Sequence, residues 1–168
     1  MGAALSAKRG EVARIFINYR KKGGAYAAAL LDELLSGRFG EREIFRAAKS
    51  IAPGADYSES ILECVAGCDV LLALVDADWS EGFNSGSSDS NPKVNWVSRE
   101  IEEAFKHGKV VVPVLLSGAD RLDEVALPEG VARVARLQYL RFDYRNIHQD
   151  VSFMSEQLVK ICPELKSV

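Results

Sequence analysis

The chain has 168 residues, with Lys+Arg 21 against Asp+Glu 24 and a formal net charge of −3 at pH 7. That length suits one hydrophobic core, and 48% hydrophobic with 27% charged residues excludes a disordered chain, a collagen-like repeat and a disulfide-dense scaffold. The slight acidic excess offers no positive field to gather phosphate backbones or anionic lipid, so neither nucleic acid nor a membrane is expected as a partner.

Arg14–Tyr19 (RIFINY) predicts a first strand, and Ala25–Leu35, with Tyr26, Leu30, Leu31 and Leu34 at helical spacing, predicts a helix whose stripe enters the core. Glu43–Phe45 reads as a short second strand. The loop after it, RAAKSIAPGAD, is punctuated by Pro53 and Gly54 and leads into a helix holding Ile61, Leu62 and Val65, capped by Asp56 or Ser58. Val70–Val75 (VLLALV) is apolar throughout, the pattern of a strand covered on both faces, and is expected at the centre of a sheet. From Asp76 to Asn95 the sequence turns to Gly, Ser, Asn and Asp without periodicity, which predicts a long loop.

A third helix is expected over about Val94–Lys106, with Glu102 and Lys106 as an i,i+4 pair. Lys109–Leu116 reads as another apolar strand, tolerating Pro113 only where its nitrogen faces no ladder partner. A short helix near Glu129–Ala135, a fifth strand over Leu137–Phe142 and a closing helix over Val151–Ile161 complete the series. Five βα units imply an α/β domain over residues 13–165, behind an N-terminal tail over 1–12. The expected fold is a flavodoxin-like open sheet of five parallel strands, order 2-1-3-4-5, with helices on both faces.

Cys64, Cys68 and Cys162 are an odd count without a nearby Cys/His cluster, which suits buried apolar roles in a reducing compartment and no metal site. No apolar run approaches the roughly 20 residues that span a bilayer. Met1–Glu11 lacks the apolar stretch of a signal peptide, so a cytoplasmic location is expected.

Ligands of an open parallel sheet bind beyond the carboxyl ends of its strands, where the strand order reverses. After the first strand, Asn18-Tyr19-Arg20-Lys21-Lys22-Gly23-Gly24 either holds a phosphate through backbone N–H groups and cations or forms a solvated turn. It matches neither GxxxxGK[ST] nor GxGxxG. On the third helix Trp96 and Glu100 stand four apart on one face, beside a core stripe of Val97, Ile101, Ala104 and Phe105. Glu100 is then either a half-exposed, reachable carboxylate at the core margin, or an ordinary surface glutamate beside a tryptophan that seals the sheet.

Four segments in this order, RIFINYR, SIAPGADY, CDVLLALVDADW and NWVSREI, resemble the first strand, BB loop, third strand and W-x-x-x-E-I segment of TIR (Toll/interleukin-1 receptor/resistance protein) domains, in particular bacterial ones. The resemblance runs over nearly the whole chain from Arg14. It implies Glu100 as the catalytic glutamate, with Tyr19, Arg20, Lys21, Arg46, Gly54, Tyr57 and Trp96 binding substrate. Ser50, Ile51, Pro53 and Gly54 would form the BB-loop interface. The implied activity is that of an NAD+ nucleosidase, a glycohydrolase or cyclase that cleaves the nicotinamide–ribose bond. NAD+ is its substrate and it needs no cofactor. The resemblance further implies activation by self-association or by other TIR domains, in bacterial anti-phage signalling.

Two departures stand out: Asn18 occupies a place where serine is usual, and Arg46-Ala47 one where many members carry an acidic residue. Arg46 there either favours a phosphate or opposes the cationic nicotinamide ring. The segment Gly82–Pro92 is expected to order when it completes the pocket. The alternative function is a non-catalytic scaffold that pairs with other TIR domains through Ala47–Asp56. A response regulator fits less well, because Asn18-Tyr19-Arg20 rather than an acidic cluster ends the first strand.

Overall fold

Ile15–Asn18 forms β1, buried at every residue, between β2 (Ile44–Phe45) and β3 (Val70–Val75) in the computed structural model, which describes residues 12–83 and 95–168. β4 (Val110–Leu116) lies beyond β3, and β5 (Leu140–Phe142) closes the edge. All neighbours pair in parallel, so the sheet has the expected order β2-β1-β3-β4-β5 with the apolar β3 at its centre. β4 pairs with β3 from Val110 to Leu115 but with β5 only from Val114, so Pro113 has no strand beside it on the β5 side.

The pleat of β3 divides the core. Val70, Leu72 and Leu74 face one layer with Ala28, Leu31 and Leu35 of α1 (Lys21–Phe39) and Val151, Met154 and Leu158 of α5 (Ile147–Ile161). Leu71, Ala73 and Val75 face the other, with Ile61 and Val65 of α3 (Tyr57–Gly67) and Val97, Ile101 and Ala104 of α4 (Trp96–Lys106). Phe16 and Phe45 stack across β1 and β2 with centroids 4.6 Å apart. Among the described residues no helix is long and apolar enough to cross a membrane.

Several expectations are corrected. In α1 the buried stripe is Gly24, Ala28, Leu31, Asp32, Leu35 and Phe39, whereas Tyr26 is 94% exposed and Leu30 is exposed too. The small Gly24 and Ala28 turn to the sheet, which rotates the Tyr26–Leu30 row outward. A short helix α2 (Ala47–Ser50) occupies the segment expected as loop. The β4–β5 crossover carries 3-10 helices at Glu124–Ala126 and Ala132–Arg136 in place of an α-helix. β5 begins at Leu140 rather than Leu137, and α5 begins at Ile147 rather than Val151, over the polar His148-Gln149-Asp150. On α4 the i,i+4 pair among the described residues is Glu103–His107, at 2.9 Å, rather than Glu102–Lys106. The cap of α3 is Asp56, whose carboxylate accepts from Glu59 N–H at 2.8 Å. Of the N-terminal tail and the loop Gly82–Pro92, residues 1–11 and 84–92 lie outside the described residues. Cys64, Cys68 and Cys162 are free thiols, the last two buried.

Candidate active site

A cleft of about 410 Å³ opens at the carboxyl end of β1, on the side where the order passes from β1 to β3. It is lined by Ile17, Tyr19, Arg20 and Lys21 from β1 and its exit, Ala47 and Tyr57 from α2 and α3, and Asn95, Trp96, Val97 and Glu100 from α4. α4 is held at the cleft by its cap: the Asn95 side chain accepts from Ser98 N–H at 3.2 Å. Trp96 and Glu100 share one helix face, as their spacing predicts. Tyr57, 51% exposed, meets Trp96 edge-on with centroids 5.6 Å apart, making an aromatic wall of the kind that accepts a flat heterocycle.

Glu100 is more enclosed than the half-exposed carboxylate expected from the sequence; it is 7% exposed and lines the cleft. Asn18, at the last residue of β1, is fully buried and donates from Nδ2 to Glu100 Oε2 at 3.3 Å and to the Val97 carbonyl at 3.2 Å. Burial pushes the Glu100 carboxyl up to about 8, against the lowering pull of the Asn18 hydrogen bond. Burial, and next the Glu100 carboxylate, also push the Tyr57 hydroxyl up.

The basic turn after β1 divides its labour. Arg20 lines the cleft but is clamped by buried Asp76 at the exit of β3, with Nη2 to Oδ1 at 2.6 Å and Nε to Oδ2 at 3.2 Å. Lys21 is exposed at the cleft wall. Gly23 has φ +101, and a Cβ there would lie 2.9 Å from the Asp76 carboxylate, so both conformation and space require glycine.

Arg46 and Gly54 do not line this cleft. Arg46 Nε donates to Asp32 Oδ2 at 2.7 Å, Lys49 Nζ to Asp32 Oδ1 at 2.6 Å and Ser36 Oγ to Asp32 Oδ1 at 2.9 Å, so the charge of Arg46 is met by a carboxylate of α1. Burial pushes the Asp32 carboxyl up, but the bonds from Lys49, Arg46 and Ser36 outweigh it and hold it below its ordinary 3.8. In the BB loop, Ser50 Oγ accepts from Arg46 N–H at 3.2 Å and Ile51 packs partly into the core. Pro53 and Gly54 are exposed in a turn closed by Ala55 N–H to Ala52 carbonyl at 3.1 Å, with Gly54 at φ +85, the Pro-Gly arrangement of a type II turn.

Arg46→Ala is expected to cost about 1–2 kcal/mol, since buried Asp32 loses one of three donors and keeps two. The group's folded pKa is depressed, so its stabilisation is present above about 3.8 and fades as pH falls through the lower folded value. Urea midpoints of variant and wild type should therefore differ at pH 7 and converge below pH 3.8.

From the sequence, Asn18 opens the basic turn and departs from the usual serine, but no partner for it is legible, and Asp32 and Asp76 carry no assigned role. Asn18 and Glu100 are 82 positions apart, Arg20 and Asp76 are 56 apart, and neither separation follows a local period. The signal that could have found Asp32 is a carboxylate inside the apolar stripe of α1.

Over residues 15–158 the chain matches the sequence profile of the TIR domain family, and it belongs to that family. Solved structures share the fold. The TIR domains of the activated Roq1 resistosome directly recognizing the pathogen effector XopQ align at 12% identity, covering 86% of this chain and 98% of that one, with a TM-score of 0.58. The TIR domain of the Toll-related receptor TRR-2 from Hydra magnipapillata aligns at 13% identity, over 89% and 98% of the two chains, with a TM-score of 0.55. A TIR-STING receptor from C. gigas, solved with 2',3'-cGAMP, aligns at 16% identity over 86% of this chain and 40% of that one, with a TM-score of 0.52. At these identities the likeness is one of fold. No protein of curated function matches the chain.

Proposed function

We propose that this TIR domain is an NAD+ nucleosidase that cleaves the nicotinamide–ribose bond at the Glu100 cleft and is activated by self-association. The observation that carries the reading is one buried carboxylate, Glu100, facing a cleft walled by Tyr57 and Trp96. Nicotinamide leaves NAD+ as a neutral amide: the C1'–N1 bond breaks, its electron pair stays on the nicotinamide nitrogen, and no general acid is required. Positive charge develops on the ribosyl C1' and ring oxygen, where an ionised Glu100 stabilises it and orients the ribose hydroxyls. Water then bonds to C1' and loses a proton, giving ADP-ribose; attack by a group of the adenosine half gives a cyclic product instead. The Tyr57–Trp96 wall supplies a face for the departing ring, and exposed Lys21 supplies a cation for a phosphate.

Self-association fits the exposed Pro53–Gly54 turn on the segment that also supplies Ala47 to the cleft wall. The Roq1 TIR domains, by comparison, belong to a resistosome. The setting in this proposal is bacterial anti-phage signalling, tested by infecting cells that carry wild type or Glu100→Ala.

The decisive experiment is nicotinamide release from NAD+ across a range of protein concentrations, beside Glu100→Ala and Gly54→Arg. Release should rise steeply with concentration, vanish with Glu100→Ala and fall with Gly54→Arg together with association. Wild-type association without release at any concentration would replace this reading with that of a scaffold. The protonation of Glu100 adds a pH signature. In the free protein the group ionises near 8, so kcat/KM should rise with pH to a plateau with its midpoint there. The midpoint of kcat should lie lower, because the bound cationic ring favours the carboxylate.

A further inference from the structure

Asn18 is buried without a share of the cleft wall, yet its Nδ2 is bonded to both Glu100 Oε2 and the Val97 carbonyl, at 3.3 and 3.2 Å. The two acceptors fix which end of the amide faces α4. Turned over, the amide would set its oxygen against the Val97 carbonyl, an acceptor at every pH, so that bond dictates the orientation. Asn18 Oδ1 has no hydrogen-bond partner among the described residues. An unpaired buried acceptor is costly, and the arrangement accepts that cost to keep an N–H on Glu100. Among the described residues no other side chain is hydrogen-bonded to Glu100. The remaining titratable or charged groups on the cleft are Tyr19, Arg20 and Lys21 after β1 and Tyr57 on α3, with Arg20 held by Asp76.

We propose that Asn18 is the positioning residue of the site: locked by the Val97 carbonyl, its amide presents only a donor to Glu100 and so fixes and favours the carboxylate form that acts on the ribosyl cation. A serine hydroxyl rotates and can donate or accept, whereas the locked amide can only donate to Glu100, and its bond is stronger to the carboxylate than to the protonated carboxyl.

The inference rests on the proposed NAD+ cleavage for its kinetic arm alone. pH profiles of nicotinamide release by wild type, Asn18→Ser and Asn18→Ala form that arm. Loss of the donor should move the kcat/KM midpoint alkaline by about one unit in Asn18→Ala and by less in Asn18→Ser. In Asn18→Ala, kcat/KM at pH 7 should fall about tenfold and recover at high pH, while KM changes less than about twofold. The second arm needs no turnover: thermal melting against pH of each protein beside the same protein carrying Glu100→Gln. The pH at which that gap levels off should move by the same amount and in the same order. A midpoint left unmoved by both Asn18 variants, or a loss not recovered at high pH, would overturn the role of Asn18. Absence of release from wild type would sink the NAD+ reading, and the melting arm would still decide the other question.

Discussion

Glu100→Gln should abolish nicotinamide release, by about a thousandfold or more, and at the same time raise the melting temperature at alkaline pH. The two effects have one cause. Glu100 is nearly enclosed, and burial raises its carboxyl to about 8 from an ordinary 4.5, so the folded state binds its proton more tightly than the unfolded chain does. A group of this kind contributes stability that is complete below about pH 4.5 and is lost as pH rises through about 8. Glutamine imitates the protonated form, keeps an oxygen to accept from Asn18 and never pays for ionisation. Wild type and variant should therefore melt together near pH 4.5 and separate as pH rises, by between about 2 and 5 kcal/mol at pH 8.5. For a chain of this size that is at least about 4 °C in favour of the inactive protein. Melting curves from pH 5 to 9 with parallel nicotinamide assays check both halves. A variant that lost activity and gained nothing at pH 8.5 would place Glu100 in a far more solvated setting than the cleft provides.

How much of this was legible in the sequence depends on the range over which each feature is determined. VLLALV announces a strand covered on both faces because every position is apolar, and its central place in the sheet follows. Trp96 and Glu100 fall on one helix face because their spacing is local. The burial of Glu100 is not local: Asn18 comes from β1 and Tyr57 from α3, and neither separation leaves a periodic trace. The same limit misplaces Tyr26 and Leu30, since α1 carries two apolar rows and the small residues, Gly24 and Ala28, decide which row approaches the sheet. It also made Arg46 look like a foreign charge on the pocket wall, when Asp32, fourteen positions earlier and buried on α1, receives it. The crossover from β4 to β5 shows only one short helix in the sequence because its 3-10 turns impose no amphipathic period of 3.6.

Arg20 is the residue whose expected role changes most, and Arg20→Ala should cost about 3 kcal/mol of stability. Its guanidinium meets the Asp76 carboxylate through both Nη2 and Nε, and the carboxylate is 6% exposed, pressed against Gly23 on one side and accepting from Asp78 N–H at 3.1 Å on another. Removal of the cation leaves a buried anion with one backbone donor, and the non-helical turn at Lys22 and Gly23 loses the anchor that joins the start of α1 to the end of β3. The melting temperature should fall by roughly 6–12 °C. Asp76→Ala removes the anion as well as the pair, so the double variant should lose less than the sum of the two single losses, by at least about 1.5 kcal/mol. Additive losses would mean that the two side chains do not depend on each other, and Arg20 would then be free to meet a substrate phosphate. A coupled cycle instead assigns Arg20 to the architecture of the cleft wall, leaving Lys21 as the unclamped cation that lines the cleft.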